Sequence, residues 1–149
     1  MTTLLDYYAL PADFPGMADR PPGSPLKRVQ HVEEAIHDDL GGSPRFIPFL
    51  ALHEFEAWLF SSDDELPRTV SVAEKQPDFQ AIRDAVDTPE AINDGPTTAP
   101  SKRIEALFPT YRKTLHGPLT AQRIGLARIR EECPHVETWF RQMEAFALA

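Results

Sequence analysis

A shortage of β-structure is the feature that most limits what this chain can fold into. Two segments favour a strand: residues 2–8 (TTLLDYY) and residues 45–52 (RFIPFLAL). Elsewhere helical spacing alternates with loops that hold many of the fifteen prolines. Two strands alone do not make a stable sheet. The sequence therefore predicts that another chain completes the sheet, or that this chain lacks part of a larger domain.

Apolar spacing predicts about five helices. Together with the two strands, these helices make α/β the expected fold class. Stripes at residues 26–40 and 79–86 have helical periodicity, and a short helix is expected from His53. Ser101 is placed to cap a further helix. A longer helix is predicted to open at Gly117-Pro118, because proline suits the first helical position. The last and clearest helix is the apolar stripe of residues 136–147.

Length, charge and cysteine content exclude several classes of protein. With 149 residues the chain is expected to form a single domain, 1–149. A net charge of −8 argues against nucleic-acid binding through bulk attraction. Phosphate contacts are therefore expected from residues 95–149, which hold eight of the fifteen basic residues. Cys133 is the one cysteine, which excludes an internal disulfide and a multi-cysteine zinc site. The sequence shows no signal peptide and no apolar run of membrane-spanning length, so we expect a cytoplasmic protein without membrane contact.

Three carboxylates form the first candidate site. Asp6 is expected at the C-terminal end of the first strand, where α/β sheets bind ligands, and Glu54 and Glu56 follow the second strand. Magnesium prefers one or two carboxylates together with waters and phosphate oxygens. In an extended segment the two glutamates share a face, whereas in a helix they diverge and His53 lies beside Glu56. The alternatives are a solvated acidic face for the glutamates and a strand-end cap for Asp6.

Two further candidates are basic. With Ser101 as the cap, Lys102 and Arg103 would lie in the first turn of a helix, where exposed N–H groups and cations suit a phosphate. An exposed basic turn that reaches toward the acidic middle segment is the alternative.

His116 precedes the predicted helix start, and Arg123 and Arg130 would share one face of that helix. This arrangement suggests a phosphate-facing edge with His116 as a proton carrier, or a plain surface histidine with helix-face arginines. The turn at residues 93–96 (NDGP) is a weaker candidate, because such sequences commonly form turns.

Several stretches together resemble the bacterial family DUF4276, a domain of unknown function related to the Toprim domain of OLD-type nucleases and topoisomerases. The matching text is TTLLDYYALPADFPG, RFIPFLALHEFEAWLFS, INDGPTTAPSKRIEALFPTY, LHGPLTAQRIGLARIREECP and the HVETWF tail. The resemblance covers nearly the whole chain. It implies a Toprim-like α/β sheet, incomplete here at two to three short strands, with a helical C-terminal half and magnesium-dependent phosphodiester chemistry.

The resemblance also implies roles for individual residues. Asp6 matches the acid after the third Toprim strand, and Glu54 and Glu56 match the acidic signature after the next strand. These three would hold magnesium and act in catalysis. The polar positions of the later motifs match Lys102, Arg103 and the catalytic candidate His116. On the residue pattern, Ser101 and Arg123 join Lys102 and Arg103 as phosphate-binding candidates.

Two departures from the Toprim pattern lead to the hypothesis of a truncated member. Toprim domains place a glutamate after their first strand, and no residue upstream of Met1 is present to supply it. Tyr8 stands where many Toprim proteins have a second acid. The leading hypothesis is a degenerate or truncated magnesium-dependent nuclease of a phage-defence system, with an ATPase partner and a nucleic-acid substrate. The alternative is a non-catalytic interaction module that pairs with a partner or a second copy through its exposed sheet edge and C-terminal helix. A homo-oligomer is expected under either hypothesis.

Overall fold

The computed structural model describes residues 1–92, 95 and 97–148, and it is a mixed α/β structure in which helices dominate. Two short strands, β1 (Leu5–Asp6) and β2 (Leu50–Ala51), form a parallel sheet. The α-helices are α1 (Pro25–Asp39), α2 (Glu65–Thr69), α3 (Gln76–Asp84), α4 (Pro100–Leu107), α5 (Lys113–Ile124), α6 (Leu126–Glu132) and α7 (Pro134–Ala147). Short 3-10 helices cover Tyr7–Ala9, Phe55–Ser61, Ala73–Lys75 and Pro89–Ala91. Within the described residues, none of these helices has the length and apolar character needed to cross a membrane.

The chain divides into two compact units. The first, called the strand unit, comprises Met1–Leu52 and Thr138–Ala149. The second, called the helical unit, comprises His53–Glu137. The sheet and α1 belong to the strand unit, and α2 to α6 belong to the helical unit.

The strand unit packs α1 against the sheet, as the apolar stripe of residues 26–40 predicts. β1 and β2 pair with Leu5 opposite Leu50 and Asp6 opposite Ala51, and an isolated parallel bridge joins Thr2 to Ile47. The helix contributes its buried stripe to the core of this unit. That core contains Tyr7, Met17, Val29, Val32, Ile36, Phe46, Leu50 and Leu52. The two predicted strands and the first helix are therefore confirmed.

Side chains supply much of the hydrogen bonding that so short a sheet cannot supply through its backbone. The Thr3 hydroxyl accepts a hydrogen bond from the Phe49 N–H at 2.9 Å and donates one to the Phe49 carbonyl at 3.1 Å. The Leu50 N–H donates to the Glu33 carboxylate of α1 at 2.8 Å. Trp139 of α7 stacks on Phe49 with ring centroids 4.2 Å apart. These contacts hold the second strand in register over a length at which backbone pairing alone is weak.

The helical unit is built around the 3-10 helix Phe55–Ser61, which is buried from Glu56 onward. Helices α4, α5 and α6 and the turn Pro89–Ala91 contact this segment. The apolar core of the unit contains Leu59, Phe60, Leu66, Val70, Phe79, Ile92, Ile104 and Tyr111. The short helix expected after His53 and the helix around Phe79 are confirmed.

Glycine and proline account for most differences from the predicted helices. The prediction that Gly117-Pro118 opens a helix is wrong: α5 begins at Lys113, and Pro118 lies inside it. Gly117 allows close packing, since a Cβ there would lie 3.2 Å from the Phe55 ring and 3.3 Å from the Tyr111 hydroxyl. Gly125, at φ +83°, separates α5 from α6. The described residues therefore hold seven α-helices rather than about five.

Gly16 provides a test of packing in the strand unit. It has φ +75°, and a Cβ added there would lie 2.7 Å from the Ala35 Cβ. Gly41, at φ +86°, has nothing within 4 Å of such an atom. We expect Gly16→Ala to lower the free energy of unfolding by about 2–4 kcal/mol, because steric overlap adds to the left-handed backbone cost. Gly41→Ala, the matched control, bears the backbone cost alone, about 1 kcal/mol. Urea denaturation measures both, and equal losses would contradict the tight contact at Gly16.

Candidate functional site

Two glutamates are buried at the start of the central 3-10 helix. Glu54 is 4% exposed and Glu56 is 2% exposed. Glu54 is extended, at φ −144° and ψ 153°, and directly precedes the helix Phe55–Ser61 that contains Glu56. The apolar residues that follow, Trp58 and Leu59 among them, are buried and carry the segment into the core. The alternative of a solvated acidic face is therefore wrong.

The Glu54 carboxylate binds the first turn of α4. The Ser101 backbone N–H donates to Glu54 Oε2 at 2.9 Å, and the Ser101 hydroxyl donates to Oε1 at 3.0 Å. Ser101 is the second residue of a helix whose cap is Ala99, so the prediction that Ser101 is the cap is wrong. A carboxylate is favourable at this position because free N–H groups and the helix dipole attract anions. The chain's own glutamate thus binds the helix start at which a phosphate was expected.

Lys113 joins the two glutamates. Its ammonium nitrogen lies 3.1 Å from Glu54 Oε1 and 3.4 Å from Glu56 Oε2. Lys113 is the first residue of α5, and its side chain is 46% exposed. Sequence reasoning missed this residue. Buried carboxylates need a cation, but local spacing does not identify a partner nearly sixty residues away.

The electrostatics of the cluster favour the charged forms of Glu54 and Lys113. Burial acts to raise the pKa of Glu54, but the Ser101 hydrogen bonds and the Lys113 charge outweigh it, so this pKa is lowered. Burial acts to lower the pKa of Lys113, but the charges of Glu56 and Glu54 raise it overall. Burial, followed by the same two carboxylates, raises the pKa of the Tyr111 phenol. The cluster therefore combines carboxylate, ammonium and neutral phenol groups at neutral pH.

Tyr111 closes one side of the cluster. Its hydroxyl is buried close to Glu56, without a hydrogen bond of standard geometry among the described residues. The absence of a side chain at Gly117 makes room for this hydroxyl. The cluster thus contains a neutral proton donor beside a buried carboxylate.

The basic candidates of α4 have partners of their own. The Lys102 ammonium lies 2.7 Å from Glu105 Oε2 on the same helix, and its side chain is exposed. The Arg103 Nε donates to the Thr98 carbonyl at 2.9 Å. These contacts orient both side chains near the helix start and leave the Lys102 charge accessible to solvent.

His116 lies in the first half of α5. Its Nδ1 accepts a hydrogen bond from the Arg112 N–H at 2.9 Å. Its ring makes an edge contact with Phe108 and a tilted contact with Tyr111. Since Nδ1 is an acceptor, the proton of the neutral imidazole is on Nε2.

Arg123 and Arg130 do not share one helical face as predicted. The break at Gly125 places them on α5 and α6. Arg123 donates to the Thr69 hydroxyl at 3.3 Å, and Arg130 donates to Glu137 at 2.6 Å. The prediction failed because it continued a single helix through a glycine with positive φ.

Asp6 ends strand β1, as predicted, and belongs to the strand unit, whereas Glu54 and Glu56 belong to the helical unit. In the part of the chain that the structure describes, no group of three or more His, Cys, Asp or Glu side chains is arranged to hold a metal ion. The turn candidate at residues 93–96 falls largely outside the described residues.

A second buried glutamate binds a helix start, and sequence reasoning missed it too. Glu90 is 3% exposed, and its carboxylate accepts hydrogen bonds from the His135 N–H at 2.9 Å and the Val136 N–H at 3.3 Å. These N–H groups belong to the first turn of α7. The Glu90 carboxylate therefore accepts hydrogen bonds from the first turn of α7, as the Glu54 carboxylate does from the first turn of α4.

Comparison with known proteins gives one match. A family model described as Domain of unknown function (DUF4276) matches residues 1–144. No curated protein and no solved structure matches the chain at a significant level. The match agrees with the resemblance that the sequence stretches indicate.

Glu54 and Glu105 form a matched pair for measuring the importance of the buried cluster. Glu54→Gln removes the charge that Ser101 and Lys113 bind, so we expect the free energy of unfolding to fall by about 2–4 kcal/mol. Glu105→Gln breaks the exposed contact with Lys102, and a loss below about 0.5 kcal/mol is expected. Chemical denaturation at pH 7 measures both. A loss for Glu54→Gln as small as that for Glu105→Gln would contradict a structural role for the cluster.

The lowered pKa of Glu54 predicts an acid dependence of stability. The folded-state pKa lies below the unfolded value, so the stabilisation is complete above the unfolded pKa of about 4.3 and is lost as the pH falls through the folded pKa. We expect the stability difference between wild type and Glu54→Gln to shrink as the pH falls below about 4.3. Denaturation curves collected between pH 7 and pH 2 test this, and a difference that stays constant would disagree with it.

Proposed function

We propose that this chain, which belongs to the DUF4276 family, is a Toprim-like domain that cleaves phosphodiester bonds with the help of magnesium. The observation that carries the proposal is the pair of buried glutamates, Glu54 and Glu56, which converge on one partly exposed cation. Buried like charges are costly to a fold, and such clusters occur frequently at functional sites.

The residues of the cluster fit magnesium by the chemistry of their donor atoms. One oxygen from Glu54 and one from Glu56 already contact a single positive centre, the Lys113 ammonium. Magnesium takes oxygen ligands, commonly one or two protein carboxylates, with water and substrate phosphate oxygens in its other positions. The two carboxylates can therefore supply the protein ligands of a magnesium site whose remaining ligands are water and phosphate oxygens of the substrate.

Each residue of the helical unit has a proposed role in this chemistry. Glu54 and Glu56 hold the magnesium, and Ser101 fixes the orientation of Glu54. When bound, magnesium neutralises phosphate charge and lowers the pKa of an attacking water. Lys102, Arg103 and Arg123 are the proposed phosphate contacts.

The neutral His116 ring carries its proton on Nε2, and this N–H is proposed to donate a hydrogen bond to a phosphate or leaving-group oxygen.

The same resemblance supports the biological part of the proposal. OLD-type nucleases act with an ATPase, so we extend the proposal to an ATPase partner and a role in phage defence. The substrate proposed is nucleic acid, bound through local basic residues such as Lys102, since the overall charge of −8 does not attract it.

Metal titration tests the nuclease proposal most directly. We expect saturable binding of Mg²⁺ or Mn²⁺ by calorimetry in the wild type and at least tenfold weaker binding in Glu56→Gln, because this substitution removes a proposed ligand. Glu105→Gln is the control and should bind as the wild type does. Metal-dependent cleavage of DNA or RNA should follow the same order. A wild type that binds neither metal would refute the proposal.

One observation favours the interaction module as a second candidate. The segment around β1 presents exposed apolar side chains beside the two-stranded sheet: Met1, Leu4, Leu5 and Tyr8. Near the end of α7, Phe146 is exposed as well. Under this second proposal two copies pair through the strand edge, independently of any metal.

Light scattering after size-exclusion chromatography tests this second candidate. We expect a dimer for the wild type at about 100 µM and a monomer for Leu5→Lys, because a charge on the edge strand opposes pairing. Leu126→Lys is the control, since Leu126 is similarly exposed but lies on α6 in the helical unit. A monomeric wild type that unfolds cooperatively would refute pairing between two copies.

A further inference from the structure

We propose that Lys113 is an internal competitor for the divalent cation, so that metal binds Glu54 and Glu56 only as the Lys113 ammonium leaves them. This inference deepens the proposed function and rests on it. It assigns Lys113 a regulatory position at the metal site.

The two cations require the same oxygen atoms. The Lys113 ammonium contacts Glu54 Oε1 at 3.1 Å and Glu56 Oε2 at 3.4 Å. A magnesium ion on these oxygens would lie about 2.0–2.1 Å from each of them. An ammonium group that stayed at its present distances would then be a few ångströms from a doubly charged ion, where repulsion is strong in a partly buried environment. Binding of both cations to the same two oxygens is therefore electrostatically unfavourable.

Lys113 is the member of the cluster that is free to move. Glu54 is anchored to α4 by two hydrogen bonds from Ser101, and Glu56 lies within a buried helical segment. The Lys113 side chain is almost half exposed and has a flexible four-carbon stem. Its release restores rotamer freedom and full hydration of the ammonium group. The carboxylates thus form the fixed part of the site and the lysine the exchangeable part.

The position of Lys113 in α5 also favours release of its ammonium group from the glutamates. It is the first residue of the helix, and Arg112 precedes it as the cap. A cation at a helix N-terminus opposes the helix dipole, so attraction to the two glutamates must outweigh that repulsion. Once a metal ion neutralises the glutamates, the attraction is lost and the repulsion remains. The released ammonium group then becomes available to an anionic ligand such as a phosphate.

Lysine footprinting on the wild-type protein tests the exchange without any mutation. The chain is acetylated with an N-hydroxysuccinimide ester in the presence of increasing MgCl₂ or MnCl₂, and mass spectrometry gives the rate at each lysine. We expect the rate at Lys113 to rise about tenfold and to saturate together with the calorimetric binding curve. Lys27 and Lys75, which are exposed and lie outside the proposed site, are internal controls whose rates should not change.

The outcomes separate this inference from the proposed function. Metal binding with an unchanged rate at Lys113 would overturn the competition and leave the nuclease proposal standing. No metal binding in calorimetry would overturn both.

A pair of variants provides an independent measurement. Lys113→Met removes the competitor, so we expect Mg²⁺ to bind about tenfold more tightly than in the wild type, and Lys75→Met, at an exposed lysine outside the proposed site, should leave the affinity unchanged. Circular dichroism checks that both variants are folded, and the footprinting result stands on its own if Lys113→Met is not. Unchanged or weaker binding by a folded Lys113→Met would show that Lys113 assists the metal site or is irrelevant to it.

Discussion

The binding of the Glu54 carboxylate by the first turn of α4 is the interaction on which the helical unit depends. A buried charge is tolerated only where hydrogen bonds and opposite charge replace its hydration. A helix that begins at Pro100 after Ala99 has no side-chain cap of its own, and its free N–H groups need an acceptor. The Glu54 carboxylate accepts hydrogen bonds from the start of α4, and the start of α4 in turn stabilises the buried charge of Glu54. Glu90 and α7 repeat the arrangement, and α7 also begins with a proline, Pro134.

This interaction explains why the candidate site could be predicted only in part. Glu54 and Glu56 stand out in the sequence because two acids after a strand suit metal chemistry. Their burial depends on the apolar residues that follow and on contacts 57 and 59 positions away at Lys113. The spacing of residues within one segment does not predict contacts at such sequence distances. The helix start at Pro100 does bind an anion, as its residue pattern indicates, but the anion in the structure is a carboxylate of the same chain.

The elements of the fold likewise differ in whether the local sequence predicts them. Strands β1 and β2 and helices α1 and α7 could be predicted because their patterns of apolar residues are complete within each segment. The boundaries of α5 and α6 could not be predicted, because glycine and proline occur both at helix ends and inside helices. Gly117 and Pro118 look like a helix start, yet Gly117 serves close packing against Phe55. Gly125 ends a helix through its backbone conformation, although apolar residues continue the periodicity on both sides.

The hydroxyl of Thr3, which both accepts from and donates to the backbone of Phe49, has a consequence for how the family can diverge. Valine has the same shape and a higher strand preference, but it would remove both of these partly buried hydrogen bonds. Serine keeps both hydrogen bonds with a smaller side chain. Natural variation at this position is therefore expected to be limited to hydroxyl-bearing residues, even though strand preference alone would admit every β-branched residue. An alignment of family members provides a direct check on this evolutionary constraint.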